Sequence, residues 1–131
     1  MIPASTTKLQ PGDICFIPRN DGKFVPFAFL YAPKGVRSSF YGGLLEAVVD
    51  MPLIDLLPSK LKVSQFALVH IKSFKENHTP IVGNVASRIG LSSLEAIEKK
   101  ANDFSVGAKS SVWGHRTIIK YAENIESSHQ E

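Results

Sequence analysis

The sequence has one cysteine, no apolar run long enough to cross a membrane as a helix, and no signal peptide at its start. A single cysteine, Cys15, excludes an intrachain disulfide and fits a reducing compartment. A transmembrane helix needs roughly 18–20 consecutive apolar residues. The opening residues also lack the charged and apolar regions that a signal peptide carries. We therefore expect a cytoplasmic protein that does not enter the membrane.

Motifs that carry catalysis are also missing. The chain has no GxxxxGK[ST] or GxGxxG phosphate loop and no GxSxG nucleophile motif. The four histidines show no HxH or HExxH spacing and have no cysteine pair to complete a zinc site. Asp13 stands at a strand start, where a carboxylate usually accepts bonds from local backbone N–H groups. We assign no catalytic or metal-binding residue, expect no cofactor, and expect a protein that is not an enzyme.

The length and composition are those of one soluble globular domain. The chain has 131 residues, of which 44% are hydrophobic and 21% charged. We expect a single domain over residues 1–131, with the polar ends 1–10 and 122–131 flexible. The net charge of +3 fits either a solvated surface or a basic face for an acidic partner or nucleic acid.

The stretch Pro11–Tyr31 is the most strongly specified by local sequence. Its first half is a short apolar run, Ile14–Ile17, bounded by Pro18. Asp21-Gly22 tolerates the positive φ angles of tight hairpin turns. The second half is rich in phenylalanine and suits a pleated, half-buried surface. The pattern predicts a β-hairpin.

Four further segments are predicted to be strands or turns. Ser38–Val49 is predicted to be a strand with a bulge at Gly42-Gly43. Met51–Leu57 lies between two prolines and predicts one helical turn that packs Leu53, Ile54, Leu56 and Leu57 inward. Ser64–Phe74 and Ile81–Val85 are predicted to pair as a second hairpin.

The last third predicts one helix and one strand. Ser92 and Glu95 form a capping box before a helix over 93–102. Ser110–Tyr121 predicts a final strand, in which a core position is favoured for Trp113. The fold class is then α+β: a curved, mainly antiparallel sheet of five to six strands, partly barrel-like, with one packed helix near 93–102.

Basic and aromatic residues alternate between positions 19 and 41. That look is typical of small barrels that stack nucleic-acid bases. It is equally typical of a protein-binding rim, where arginine and tyrosine are common anchors. The residues alone leave both interpretations open.

The opening GDICFIPRNDGKFVPFAFL resembles the start of the immunity protein 26 family. The family begins with Gly-Asp, a strand ending in Ile-Pro, a turn with Asp-Gly-Lys and an aromatic second strand. The matching positions are Gly12, Asp13, Ile17, Pro18, Asp21, Gly22 and Lys23. A second match covers Phe66–Asn84, where Thr79-Pro80 stands in place of the family's tryptophan.

The resemblance implies a cytoplasmic antidote of a bacterial polymorphic-toxin or contact-dependent system. Such a protein binds its cognate toxin and blocks it without catalysing a reaction. Inhibitors of nucleases often present acidic surfaces that mimic nucleic acid, and this chain is basic, so we expect that the toxin is not a nuclease. We expect toxin contacts on the first turns and the third element, since loops carry function more often than cores do. The candidate contact residues are Arg19, Asn20, Lys34, Arg37, Phe40 and Tyr41.

Two alternatives come from other functional classes. A Gly-Asp-Ile opening in a small barrel also resembles endoribonucleases of the MazF and PemK type. Their second strand carries an Arg-Pro pair near the catalytic centre, whereas FVPFAFLYAP has no arginine here. A small β-barrel that binds nucleic acid without cleaving it is the other alternative.

Overall fold

Six strands and three helices form an α+β fold around a curved, open sheet. The computed structural model describes residues 9–32, 39–70, 81–105 and 112–125. The strands are β1 (Asp13–Pro18), β2 (Phe24–Tyr31), β3 (Ser39–Leu45), β4 (Val63–His70), β5 (Gly83–Asn84) and β6 (Val112–Trp113). The helices are α1 (Ala86–Ile89), α2 (Leu91–Ser105) and α3 (His115–Ala122), with a 3-10 helix at Ile54–Leu56.

The sheet order is β5-β1-β2-β3-β4-β6. The first five strands in this order pair antiparallel, and β6 pairs parallel with β4 at the far edge. The predicted class and the mainly antiparallel sheet are therefore confirmed.

The predicted hairpin is the centre of this sheet. Its register runs from Ile14 opposite Ala28 to Pro18 opposite Phe24. The turn closes with the Arg19 amide donating to the Lys23 carbonyl at 2.8 Å, and Gly22 takes a φ of 83°. A positive φ costs a glycine little, which explains the Asp-Gly signal.

The bulge predicted for β3 is absent, and the two neighbouring strands, β2 and β4, each carry an extra residue instead. Gly42 and Gly43 pair regularly with β2 and β4. The extra residues are Leu30 on β2 and Ser64 on β4, as the register shifts there show. The glycines serve packing, because a Cβ on Gly42 would lie 2.5 Å from the Phe27 ring.

Each face of the sheet has its own cluster of buried apolar side chains, and helices pack on both faces. One face packs against α3, and its buried residues include Phe27, Phe29, Phe40, Leu44, Val69, Trp113, Ile118, Ala122 and Ile125. The other face packs against α1, α2 and the 3-10 segment, and its buried residues include Ile14, Phe16, Leu30, Leu45, Leu57, Leu61, Val85, Ile89 and Ile97. The predicted single helix is thus one of three.

The predicted helix 93–102 is longer than expected at both ends. It begins at Leu91, directly after Gly90, whose φ of 95° separates it from α1. Ser92 is therefore inside the first turn, and the proposed cap at Ser92 is wrong. The Leu94 amide donates to the Gly90 carbonyl, so Ser92 already lies inside the first hydrogen-bonded turn.

The predicted final strand is mostly a helix. Ser110 and Ser111 lie outside the described residues. From residue 112 onward the strand is limited to Val112–Trp113, and α3 begins after Gly114. Ile118, Ala122 and Ile125 are buried, so the chain is still packed on the core at Ile125, within the segment 122–131 that was predicted to be flexible. Residues 126–131 lie outside the described residues. Trp113 is buried against Tyr121, with ring centroids 5.3 Å apart.

The predicted second hairpin is also wrong, because β5 pairs with β1 at the opposite edge from β4. Asn84 fixes this pairing through its side chain. Its Nδ2 donates to the Pro11 carbonyl at 3.0 Å and to Asp13 Oδ1 at 2.9 Å. Its Oδ1 accepts from the Ala86 amide at 2.9 Å, which also starts α1.

Candidate functional site

The four candidate contact residues that the structure describes do not form one surface. Lys34 and Arg37 lie outside the described residues. Phe40 and Tyr41 are buried in β3, so the expectation that they anchor an exposed rim is wrong. Arg19 and Asn20 lie together in the β1–β2 turn.

The burial of Phe40 and Tyr41 has a simple cause. Adjacent strand residues point to opposite faces of a sheet, and here helices or loops cover both faces. Phe40 stacks against Phe29 with ring centroids 5.0 Å apart. Tyr41 meets Phe66 edge-on at 6.4 Å. Both aromatic residues therefore stabilise the sheet.

Arg19 connects the first turn to the end of α3. Its Nη1 donates to the Ile125 carbonyl at 2.8 Å, and its Nη2 pairs with Asp21 Oδ2 at 2.9 Å. The Asn20 amide donates to Glu123 Oε2 at 2.7 Å. The Arg19 side chain is only 15% exposed, so most of it faces protein. These contacts make Arg19 a structural brace, whereas Asn20, Asp21 and Lys23 of the same turn are exposed.

The same turn lowers the pKa of Asp21 below its ordinary value of 3.8. The main cause is the hydrogen bond from the Lys23 amide to Asp21 Oδ1, at 3.0 Å. Desolvation opposes this shift, and the Arg19 guanidinium adds to it. A lowered pKa in the folded state stabilises the fold above the unfolded pKa, and that contribution disappears as the pH falls through the folded value.

We expect the carboxyl resonance of Asp21 in NMR to titrate with a midpoint below 3.8. In Arg19→Met the midpoint should rise yet stay below 3.8, because the stronger bond from Lys23 remains. Asp21→Asn assigns the resonance by removing it. A wild-type midpoint at or above 3.8 would contradict the turn geometry.

A different surface is marked by exposed apolar residues. In the described part of the chain the exposed large hydrophobic residues are Met51 (55%), Leu53 (48%), Leu56 (48%) and Val82 (41%). We call these four residues the apolar surface. Met51, Leu53 and Leu56 lie on one short segment, and Val82 adjoins Gly83, which lies against the Ile54 side chain.

The expectation that all four apolar residues of this turn pack inward is wrong for two of them. The 3-10 helix spans Ile54–Leu56, and Leu53 and Leu57 flank it with extended backbone. Leu53 and Leu56 are exposed, whereas Leu57 is buried in the core and Ile54 packs against it. The turn therefore has an inner and an outer pair of apolar side chains.

Arg88 holds this turn against the body of the protein. Its Nη1 donates to the carbonyls of Ile54 at 3.0 Å and Leu57 at 3.4 Å. Its own carbonyl accepts from the Leu61 amide at 2.9 Å. Pro52 and Pro58 restrict the backbone on either side of the turn. These bonds and the two prolines restrain the backbone that carries Leu53 and Leu56.

Three cations flank the C-terminal side of this turn, and we call them the cationic border: Lys60, Lys62 and Arg88. Lys60 and Lys62 are exposed and stand on either side of Leu61, whose amide bonds to the Arg88 backbone. Within the described ranges none of the three forms an ion pair. The carbonyl oxygens that Arg88 contacts carry no formal charge.

Residues 9–32, 39–70, 81–105 and 112–125 contain no group of three or more histidine, cysteine or acidic residues that could hold a metal ion. Among those same residues no helix is long and apolar enough to span a membrane. Comparisons of the chain with protein-family models, with curated proteins and with solved structures find no match. The protein is therefore placed by its own architecture, as an α+β protein with an open six-stranded sheet and an exposed apolar turn.

Proposed function

We propose that this protein is a non-enzymatic immunity protein that binds a cognate bacterial effector toxin in the cytoplasm and neutralises it by direct contact. The observation that carries the proposal is the apolar surface. Exposed apolar side chains that cluster and are ringed by charge are typical of protein–protein interfaces. The resemblance of residues 12–23 to immunity proteins supports the same conclusion.

The restrained backbone of the turn favours tight binding. A binding surface that is already ordered loses little conformational entropy when a partner docks. Leu53 and Leu56 project from a turn that Arg88 anchors at two carbonyls. A toxin pressed against this turn would be excluded from its own substrate, which requires no chemistry from the immunity protein.

A co-expression selection tests the proposal. Fragments of the source genome are expressed inducibly in a bacterial host, with and without this protein. We expect at least one fragment that kills the host alone and is tolerated with the protein. The purified pair should form a complex in isothermal titration calorimetry that survives nuclease treatment.

The variant Leu53→Asp/Leu56→Asp should lose this protection, because two carboxylates would enter the apolar contact. The control is Arg116→Ala/Lys120→Ala, two exposed positions on α3 across the sheet, and it should protect like the wild type. If no fragment is neutralised while the protein alone cleaves or retains RNA, the proposal is wrong and a ribonuclease or nucleic-acid-binding protein replaces it.

A further inference from the structure

The apolar surface and the cationic border meet at one residue, Arg88. Its guanidinium contacts the Ile54 and Leu57 carbonyls, so it lies within hydrogen-bond distance of the turn that presents Leu53 and Leu56. The Arg88 carbonyl accepts a hydrogen bond from the Leu61 amide, so Lys60 and Lys62, the two chain neighbours of Leu61, lie near Arg88. A partner seated on the apolar residues would therefore meet positive charge at one side.

From this juxtaposition we infer that the partner docks through a segment that combines large apolar side chains with carboxylates. The apolar side chains cover Leu53, Leu56 and their neighbours, and the carboxylates pair with the cationic border. This inference rests on the proposed function and adds the chemistry of the partner's contact segment.

The charge balance around the turn favours an acidic partner. The border carries three positive charges and, in the part of the chain that the structure describes, no ion pair. On the other side, Asp50 lies 3.8 Å from Lys23, and these two exposed charges cancel in the sum. Asp55 is exposed on the turn and forms no ion pair with the border, so it offsets one of the three positive charges and leaves two. A surplus of positive charge therefore remains beside the apolar residues.

Arg88 is the cation from which a carboxylate gains most. It is half-buried, so part of its desolvation has already occurred in the free protein. Charge pairs formed in a partly desolvated site are stronger than pairs in open water, and the two carbonyls bind only Nη1, which leaves Nη2 and Nε as donors to a carboxylate. Lys60 and Lys62, being exposed, contribute mainly to the rate of association and its salt dependence.

A random twelve-residue peptide library displayed on phage tests the inference without the toxin. We expect the peptides selected on the wild-type protein to combine aspartate or glutamate with large apolar residues. Their affinity, measured by fluorescence anisotropy with the synthetic peptides, should fall about tenfold in Lys60→Glu/Lys62→Glu. It should fall at least about tenfold in Leu53→Ser/Leu56→Ser as well.

Arg116→Glu/Lys120→Glu is the matched control, since it makes the same charge change on the opposite face of the sheet. Its affinity should stay within about twofold of the wild type, and circular dichroism should show every variant folded. Raising the salt from about 0.05 to about 0.5 M should weaken wild-type binding and should not weaken binding by the Lys60→Glu/Lys62→Glu variant, whose new carboxylates repel the acidic peptide.

Several results would overturn the inference. These are selected peptides without carboxylates, no selection at all, or equal binding by the border variant and the wild type. A fluorescent RNA oligonucleotide that binds through Lys60 and Lys62 would overturn it too. If the toxin is found and Lys60→Glu/Lys62→Glu still neutralises it, the inference fails while the proposed function stands.

Discussion

Replacing Gly42 with alanine is expected to lower the free energy of unfolding by about 1–3 kcal/mol or more. The new Cβ would lie 2.5 Å from a Phe27 ring carbon and 2.9 Å from a Phe40 ring carbon. Both rings are buried and form part of one core cluster, so neither has free space to move into. Urea unfolding at constant temperature, followed by circular dichroism, measures the loss.

Gly114→Ser is the matched control for added side-chain volume at a glycine. No atom lies within 4 Å of the added Cβ, and Gly114 is the N-cap of α3 with a φ of −88°. A serine hydroxyl there can accept a hydrogen bond from the first turn, so we expect a gain of about 0.5–1 kcal/mol. A Gly42→Ala protein as stable as the wild type would show that β3 is not packed between the two rings.

Ile118→Ala should cost about 2–5 kcal/mol of unfolding free energy, the range typical of a cavity left by a buried isoleucine. Ile118 has no solvent exposure and packs on the sheet with Ala122 and Ile125. Ile125→Ala should also be clearly destabilising, because Ile125 is part of the same cluster. Thermal and urea unfolding of the two variants test whether α3 and the following residues up to Ile125 pack in the core.

Lys120→Ala serves as the control on the same helix, since Lys120 is exposed. Alanine is a better helix former than lysine, and the change should stay within about 0.5 kcal/mol. An Ile125→Ala protein with unchanged stability would instead support a frayed tail over residues 122–125.

The hairpin could be predicted because its information is local. Asp21-Gly22 sets the turn, and Ile14–Ile17 and Phe24–Tyr31 provide apolar strands on either side. The pairing of β5 could not be predicted in this way. Its partner depends on Asn84 reaching Asp13 and Pro11, which are about seventy residues away in the chain.

Helix α3 could not be predicted from Ser110–Tyr121 alone, because its apolar spacing continues beyond Tyr121. Ile118, Ala122 and Ile125 have the i, i+4, i+7 spacing of a helix face. A segment that stops at Tyr121 contains only the first of them, and its isoleucines and aromatic residues then favour a strand. Ala122 and Ile125, which complete the helical spacing, lie in the polar and acidic stretch that was predicted to be flexible.

The candidate surface illustrates a different limit. Whether Phe40 is exposed depends on a helix that covers its face, and the sequence around residue 40 does not contain that information. For Leu53 and Leu56 the local sequence holds more. Prolines at both ends favour a short, tight turn, and a period of three separates the inner pair of apolar residues from the outer pair.

The strand order also has a consequence for how the chain is made. Both outer strands come late in the sequence, β5 after residue 82 and β6 after residue 111, whereas the centre is complete by residue 45. During synthesis from the N-terminus, β1 and β4 therefore emerge with unpaired edges and wait for their partners. Unpaired edges are where strands of other chains add. Until β5 and β6 have been synthesised, these two edges of the nascent sheet are open to such additions.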